Sequence, residues 1–381
     1  MKPPPLAWDT LDWTALDRLR AAFLAATPTG ADYWRSRSDL ENYEFTFAQR
    51  IGWKWDAVLR ELRLRGWTPP PGRLLDWGCG SGIAGRRVVE FFGAEPFTSL
   101  HVFDRSPLAI EFALARAQEV FPGLSVEPFQ ESQSAVGILP ADSSEQSSAG
   151  KMPAAPGQAL QEPAPNGAGL APLSAPSVGT LVISHVLSEL DEAGGRALRE
   201  VIDRADAILW VEPGTYADSR SLIALHEQLR HQFHLIAPCT HQAACGLRIE
   251  ENERHWCHHF AAPPHNIMAD SNWVRFAQRA GIDLRSLPYS FLVLERKGLR
   301  DPVPGQLPEG FSRIIGAPRI YKGYAKIFSC QADGVRDLRL QKRDAPELFK
   351  ALQRREAGLY RWQVIRDRIG RYRPIERPAD G

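Results

Sequence analysis

The chain is 381 residues long, 44% apolar and 24% charged, with 46 lysine and arginine residues against 45 acidic ones. That length accommodates two domains or one large α/β domain with additions. A net charge of +1 excludes attraction of the whole molecule to nucleic acid, so any such binding needs a local basic patch.

No run of eighteen apolar residues occurs, and the opening "MKPPPLAWDTLDW" lacks the apolar core of a secretory signal. Five cysteines, an odd number, do not suggest a secreted disulfide framework. A cytoplasmic monomer with reduced thiols and no membrane partner is expected.

Residues 10 to 66 carry apolar side chains at three- and four-residue spacing in "TALDRLRAAFLAA" and "FAQRIGWKWDAVLRELRLRG". This periodicity predicts a helical N-terminal region, 1–68. "PPPG" (69–72) ends it. From Arg73 strands and helices alternate: "RLLDWG", "AGRRVVEFFG", "SLHVFDRS", "PLAIEFALARAQEV", "TLVISHVL", "DEAGGRALREVIDRA" and "AILWVEPG", with "YSFLVLERK" as a further strand near the far edge. Such alternation predicts right-handed βαβ units in a doubly wound, mostly parallel sheet, spanning 69–300. Residues 132–177, with seven prolines and no aromatic residue, read as a disordered insertion because they cannot bury enough apolar surface to offset ordering. A C-terminal extension (301–350) and a basic tail (351–381) complete the expected organisation.

"LLDWGCGSGIAG" places Asp76, Gly78, Gly80 and Gly82 where a first strand turns into a helix. Glycines there permit a tight turn and a close approach of ligand to backbone, near the positive end of the next helix. A dinucleotide motif could be read through Gly78, Gly80 and a displaced third glycine. The observed order, acidic-x-G-x-G-x-G, instead resembles motif I of class I S-adenosylmethionine-dependent methyltransferases. Asp104 follows Gly82 by 22 residues, at the end of the second strand, where a carboxylate can accept hydrogen bonds from both ribose hydroxyls of a nucleoside. Asp76 is placed for the methionine end of that cofactor. A class I, Rossmann-like α/β methyltransferase fold is therefore predicted. The catalytic residues are not legible. Where amino-group methyltransferases carry an "NPPY"-like motif, this chain has "SHVLSEL". His185 there reads as structural, with a base as the alternative, and alignment alone can support methyl transfer.

Cys239, Cys245 and Cys257 cluster in "APCTHQAACGLRIEENERHWCHHF" with the spacing C-x5-C-x11-C, and Cys330 in "AKIFSC" is a distant fourth. Zinc ribbons use short C-x2–4-C knuckles, which are missing. Four thiolates from separated segments suit a [4Fe–4S] cluster at least as well, while zinc with an adjacent histidine stays open.

Taken in order, "LLDWGCGSG", "ISHVLSEL", "WVEPGT", "APCTHQAAC", "HWCHHF", "YSFLVLERKG" and "RIIGAPRIYKGYAKIFSC" resemble the Rsm-twenty-two family. These are methyltransferase-like proteins of the mitochondrial small ribosomal subunit, with bacterial relatives. The resemblance runs from about residue 30 to about residue 350. It implies an S-adenosylmethionine-binding fold, a role in small-subunit assembly and translation, and a four-cysteine iron–sulfur cluster on Cys239, Cys245, Cys257 and Cys330. The family commonly has proline after its first two cluster cysteines, where this chain has Thr240 and Gly246. The insertion is also foreign to its pattern.

Residues 313–326 interleave Arg313, Arg319, Lys322 and Lys326 with Tyr321 and Tyr324, a pattern in which bases can contact phosphates and rings can stack on unpaired bases. The expected function is a methyltransferase or methyltransferase-like factor acting on the small ribosomal subunit or its rRNA. The competing readings are a non-catalytic assembly factor that binds S-adenosylmethionine and RNA, and a small-molecule methyltransferase with structural zinc.

Overall fold

The computed structural model describes residues 6–25, 34–130, 177–354 and 358–375. The expected insertion at 132–177 therefore lies outside the described residues, Ser177 excepted.

Three helices open the chain: α1 (Trp13–Ala25), α2 (Arg37–Phe45) and α3 (Phe47–Arg65). The Ser36 hydroxyl caps α2 by accepting from the Asp39 N–H, and Gly66, at φ 75°, ends α3 in the left-handed region.

The first sheet is built from β1 (Gly72–Trp77), β2 (Phe97–Phe103), β3 (Val126–Pro128), β4 (Val178–Ser184), β5 (Ala205–Pro213), β6 (Phe233–Ala237), β7 (His259–Ala261) and β8 (Leu287–Arg296). Helices α4 (Ile83–Phe92), α5 (Pro107–Val120), α6 (Glu192–Ile202), α7 (Tyr216–Leu229) and α8 (Ser271–Ala280) lie between strands. The strand order is β3-β2-β1-β4-β5-β8-β6, with β7 paired to β8. The first five run parallel, whereas β8 is antiparallel to both β5 and β6. This is the class I methyltransferase form of the doubly wound fold. The strand expected near the far edge, "YSFLVLERK", is β8, and β6 lies outside it. Its continuous burial from Tyr289 to Glu295 reflects layers on both faces. Apolar side chains fill two cores, one including Leu74, Val182 and Leu209, the other including Leu75, Leu181 and Ile208. Alternate residues of the same strands thus face opposite layers.

A second sheet follows: β9 (Phe311–Ile314), β10 (Arg319–Ile320), β11 (Tyr324–Gln331), β12 (Gly334–Gln341), β13 (Leu359–Ile365) and β14 (Arg368–Pro374), with α9 (Pro346–Gln353) between β12 and β13. Its order is β10-β11-β12-β14-β13-β9, and β9 pairs back onto β11. Five strands thus close into a barrel around Ala325, Ile327, Leu338, Leu340 and Ile369. The basic stretch expected as a tail supplies two of them. Arginine alternates with inward apolar residues there, and the period-two pattern is that of a strand. Among the described residues no helix is long and apolar enough to cross a membrane.

Candidate functional site

In open α/β sheets the ligand crevice lies beyond the carboxyl ends of the strands, where the chain reverses its direction of winding. Here that point falls between β1 and β4, and the glycine turn leaves β1 at that place. Gly78, Gly80 and Gly82 have φ of 72°, 52° and 76°, conformations costly for any residue with a Cβ. A Cβ on Gly78 would stand 2.5 Å from Val186 Cγ1, whereas beside Gly80 nothing lies within 4 Å. The turn is packed where it meets β4 and open at its crown.

Both expected carboxylates border it. Asp76 is 1% exposed. Its Oδ2 accepts from the Gly85 N–H at 2.9 Å, and its Oδ1 has no protein partner. Burial pushes the carboxyl up to about 7, against the Gly85 hydrogen bond and nearby Arg86. Asp104 follows β2 and ties the crown down, its Oδ2 accepting from the Gly80 N–H and its Oδ1 from the Ser106 N–H, both at 2.9 Å. Cys79, inside the turn, is buried, and burial together with Asp104 and Asp76 holds its thiol well above the ordinary range, so it is no nucleophile. Arg86 bolts the turn to the N-terminal helices by donating to the Ser81 carbonyl at 2.6 Å and to the Glu44 carboxylate.

At the end of β4 stands a group that periodicity alone does not reveal. His185 adopts φ 59°, an uncommon backbone for a residue with a side chain. Its Nε2 lies 3.0 Å from Lys54 Nζ, and its Nδ1 lies 3.2 Å from Ser184 Oγ, which accepts from Trp55 Nε1 at 3.0 Å. Burial, then Arg50, pushes the Lys54 amine down to about 7 against Glu212 and Asp218. Burial first, then Lys54 and Arg50, hold His185 well below its usual range. When the lysine is protonated its ammonium donates and the histidine Nε2 accepts. At the end of β5 Glu212 is fully buried. Its Oε1 accepts from Trp210 Nε1 at 2.7 Å and from the Val186 and Leu187 N–H groups at 3.2 and 3.3 Å. Its Oε2 has no partner, and burial raises the carboxyl to about 8.

The four expected ligand cysteines lie on segments that converge: Cys239 after β6, Cys245 in the following loop, Cys257 before β7 and Cys330 in β11. All are free thiols. Cys245, Cys257 and Cys330 share an apolar cluster with Ile223, Leu247, Ile315, Phe328 and Val335. Burial raises every one of them, Cys330 to about 12, and the thiols raise one another. Histidines adjoin three of them: His226 Nε2 at 3.5 Å from Cys239, His259 Nε2 at 3.6 Å from Cys257 and His241 Nε2 at 3.8 Å from Cys330. The other two histidines of the stretch 237–260 stand apart, His255 against Phe328 and His258 stacked on Trp256. Among the described residues no group of three or more His, Cys, Asp or Glu is arranged to hold a metal ion. The thiols are near enough to repel as thiolates yet are not closed around a single ion.

Two arginines flank them. Arg65, at the end of α3, donates to the carbonyls of Ile236, Pro238 and Cys239 at 2.6, 2.9 and 3.0 Å and to Glu61 at 2.9 Å. Arg313 pairs with the same Glu61 carboxylate and is 5% exposed. Arg313, expected among the RNA-facing bases, is thus buried between the barrel and α3. Gly246 abuts the β11–β12 turn, and a Cβ there would come within 2.9 Å of Gly334 Cα.

The family model described as mitochondrial small ribosomal subunit Rsm22, the Rsm-twenty-two family, matches residues 132–360, more than half of the chain. Among curated proteins none matches. Among solved structures the chain is similar to a SAM-dependent methyltransferase from Aquifex aeolicus, at 14% identity and TM-score 0.29 over 47% of this chain and 73% of that one. It is similar to an rRNA methylase from Streptococcus thermophilus at 7% identity and TM-score 0.31, over 63% and 96%. It is also similar to M. capricolum TrmK in complex with S-adenosyl-homocysteine, at 8% identity and TM-score 0.29, over 62% and 68%.

Proposed function

The chain belongs to the Rsm22 family of the mitochondrial small ribosomal subunit, and from that premise we propose that it is an S-adenosylmethionine-dependent methyltransferase acting on small-subunit ribosomal RNA. The observation that carries the reading is the switch-point crevice. An open glycine crown follows β1, and the ends of β1 and β5 carry buried carboxylate oxygens, on Asp76 and Glu212, without protein partners. Buried polar atoms are left unpaired where a ligand completes them.

The residues fit the cofactor. Asp104, a carboxylate at the end of β2, is of the type and in the place that receives ribose hydroxyls, Gly80 admits close approach, and Asp76 Oδ1 suits an ammonium group. When bound, S-adenosylmethionine supplies a methyl group on a positively charged sulfur, which needs no acid to leave. What the chain must supply is alignment and a place for the proton that an N–H or O–H acceptor sheds as its bond to carbon forms. Lys54, held near neutrality and oriented by His185, is that place.

The cysteines support the second half of the reading. Four part-buried thiols from separate segments are the soft donor set that a [4Fe–4S] centre would take. Arg65 beside Cys239 and Arg313 beside Cys330 favour the thiolates and would offset the negative charge of such a centre. Zinc on three thiols with His226, His241 or His259 is the second choice. The cluster's role here is structural, a staple between the sheet that carries Cys239 and Cys257 and the barrel that carries Cys330.

The test is methyl incorporation into immature small subunits by the full chain. Incorporation abolished in Asp76→Ala and Asp104→Ala supports the enzyme, and cofactor binding without incorporation supports the non-catalytic assembly factor. Anaerobically purified protein is expected to carry iron and an iron–sulfur chromophore, both lost in Cys330→Ser. Stoichiometric zinc without iron would sink the cluster.

A further inference from the structure

The barrel has a topology with consequences. Taking β9, β11, β12, β13 and β14 as strands one to five, the circular order is one-two-three-five-four-one. All neighbours are antiparallel except strands three and five, and a helix, α9, sits between strands three and four. This is the arrangement of the OB-fold, whose oligonucleotide face is the outer surface of strands two and three, flanked by the loops joining strands one to two and four to five.

In this chain that outer face is β11 and β12. Ala325, Ile327, Leu338 and Leu340 point into the barrel, so Tyr324, Lys326 and Phe328 with Arg339 and Asp337 point out. One end is covered: Phe328 packs on His255 of the cysteine segment at 4.5 Å. The other end is uncovered among the described residues. There Tyr321, 43% exposed, stacks on Tyr324 with centroids 4.5 Å apart and rings 12° from parallel. Arg339 lies over the Tyr324 ring at 5.1 Å. Arg319 and Lys326 border the rings, sharing Asp337 at 2.5 and 4.0 Å.

Charge points the same way. Residues 311–375 hold sixteen Lys and Arg against six Asp and Glu, an excess of ten, whereas the whole chain has an excess of one. The rest of the molecule is therefore acidic by nine. The near-neutral total hides a strongly basic barrel.

We propose that the outer β11–β12 face, centred on Tyr321, Tyr324, Lys326 and Arg339, binds single-stranded RNA. Flat exposed rings beside cationic groups provide a stacking platform with phosphate contacts, which unpaired bases can use and paired ones cannot. The proposal deepens the reading of the protein as RNA-directed by naming the surface and the form of RNA.

The test is fluorescence anisotropy with the full chain and a labelled oligouridylate, against a hairpin duplex of equal length. Preference for the single strand, weakening with salt, is expected. Tyr321→Ala with Tyr324→Ala should lower affinity on the order of tenfold per stacked base lost, while Tyr321→Phe with Tyr324→Phe retains it. An unchanged thermal midpoint and unchanged cofactor affinity show that the alanine variant is folded. Single-strand affinity unaffected by the alanines, preference for the duplex, or no RNA binding by the parent would each overturn the proposal. Asp104→Ala should bind the oligonucleotide as the parent does. RNA binding through the tyrosines without methyl incorporation leaves this face standing and removes the catalytic reading alone.

Discussion

If Asp76 receives the ammonium group of the cofactor, binding must depend on pH in a defined direction. In the free protein burial holds the carboxyl at about 7, so it is ionised to about one-tenth at pH 6, one-half at pH 7 and nine-tenths at pH 8. Only the anion pairs with an ammonium. The association constant should therefore rise about fivefold from pH 6 to 7 and a further twofold to pH 8, then level off. Binding should release about 0.9 proton at pH 6, about 0.5 at pH 7 and about 0.1 at pH 8. Calorimetric titration of the full chain in buffers of differing ionisation heat reads both quantities. For the unliganded fold the sign is opposite. A carboxyl raised in the folded state contributes stability that is complete below the ordinary carboxylate range and lost as pH rises through about 7. Asp76→Asn keeps the shape and removes the titration, so its weaker binding should be flat across the range. A flat profile in the parent, proton uptake on binding, or an unchanged slope in Asp76→Asn would refute the assignment.

Two further outcomes follow from α3. Lys54→Met should leave cofactor affinity within about twofold and lower the methylation rate by on the order of a hundredfold or more; in the parent the rate should rise with pH through about 7 as the amine loses its proton. Arg65→Met leaves three carbonyls of the Cys239 loop and one of the Glu61 pairs unmet, and breaking a buried pair costs roughly 3–5 kcal/mol. A marked fall in the thermal midpoint together with reduced metal content is expected, whereas retention of both would show that the loop holds without its arginine.

Local chemistry made the first sheet and its turn legible. Strands such as "TLVISHVL", nearly continuous in apolar residues, declare burial on both faces, and three alternate glycines declare a turn that no Cβ tolerates. The barrel was hidden by its own charge. "RIGRYRP" holds three arginines in seven residues and reads first as a basic tail, and "GVRDLRLQ", with apolar residues at 338 and 340, falls in an extension with no assigned element. The same ambiguity misplaced Arg313: spacing tells which residues share a face and not what covers it. Lys54 and Arg65 escaped for a related reason. On a helix of this amphipathicity a lysine or arginine is ordinarily solvent-facing, and their partners lie 131 and 171 to 174 residues away. His185 gave only its residue type; its positive φ, and the donation of the next two N–H groups to Glu212, belong to the fold and not to the sequence pattern.

Helix α3 explains why these polar groups accept burial. Lys54, Glu61 and Arg65 are separated by seven and four residues, which at 3.6 residues per turn places all three within about 40° on one face. That face meets the end of β4 through Lys54, the cysteine loop through Arg65 and the barrel through Glu61 and Arg313. A fully apolar face would pack at lower desolvation cost. It would not fix a histidine, a loop of carbonyls and a second domain at set distances along one rigid rod, roughly 16 Å from Lys54 to Arg65. Charged side chains, unlike apolar ones, are satisfied only by partners at hydrogen-bonding distance and direction. The stability given up on this face therefore specifies how the crevice, the cysteine centre and the barrel are set against one another.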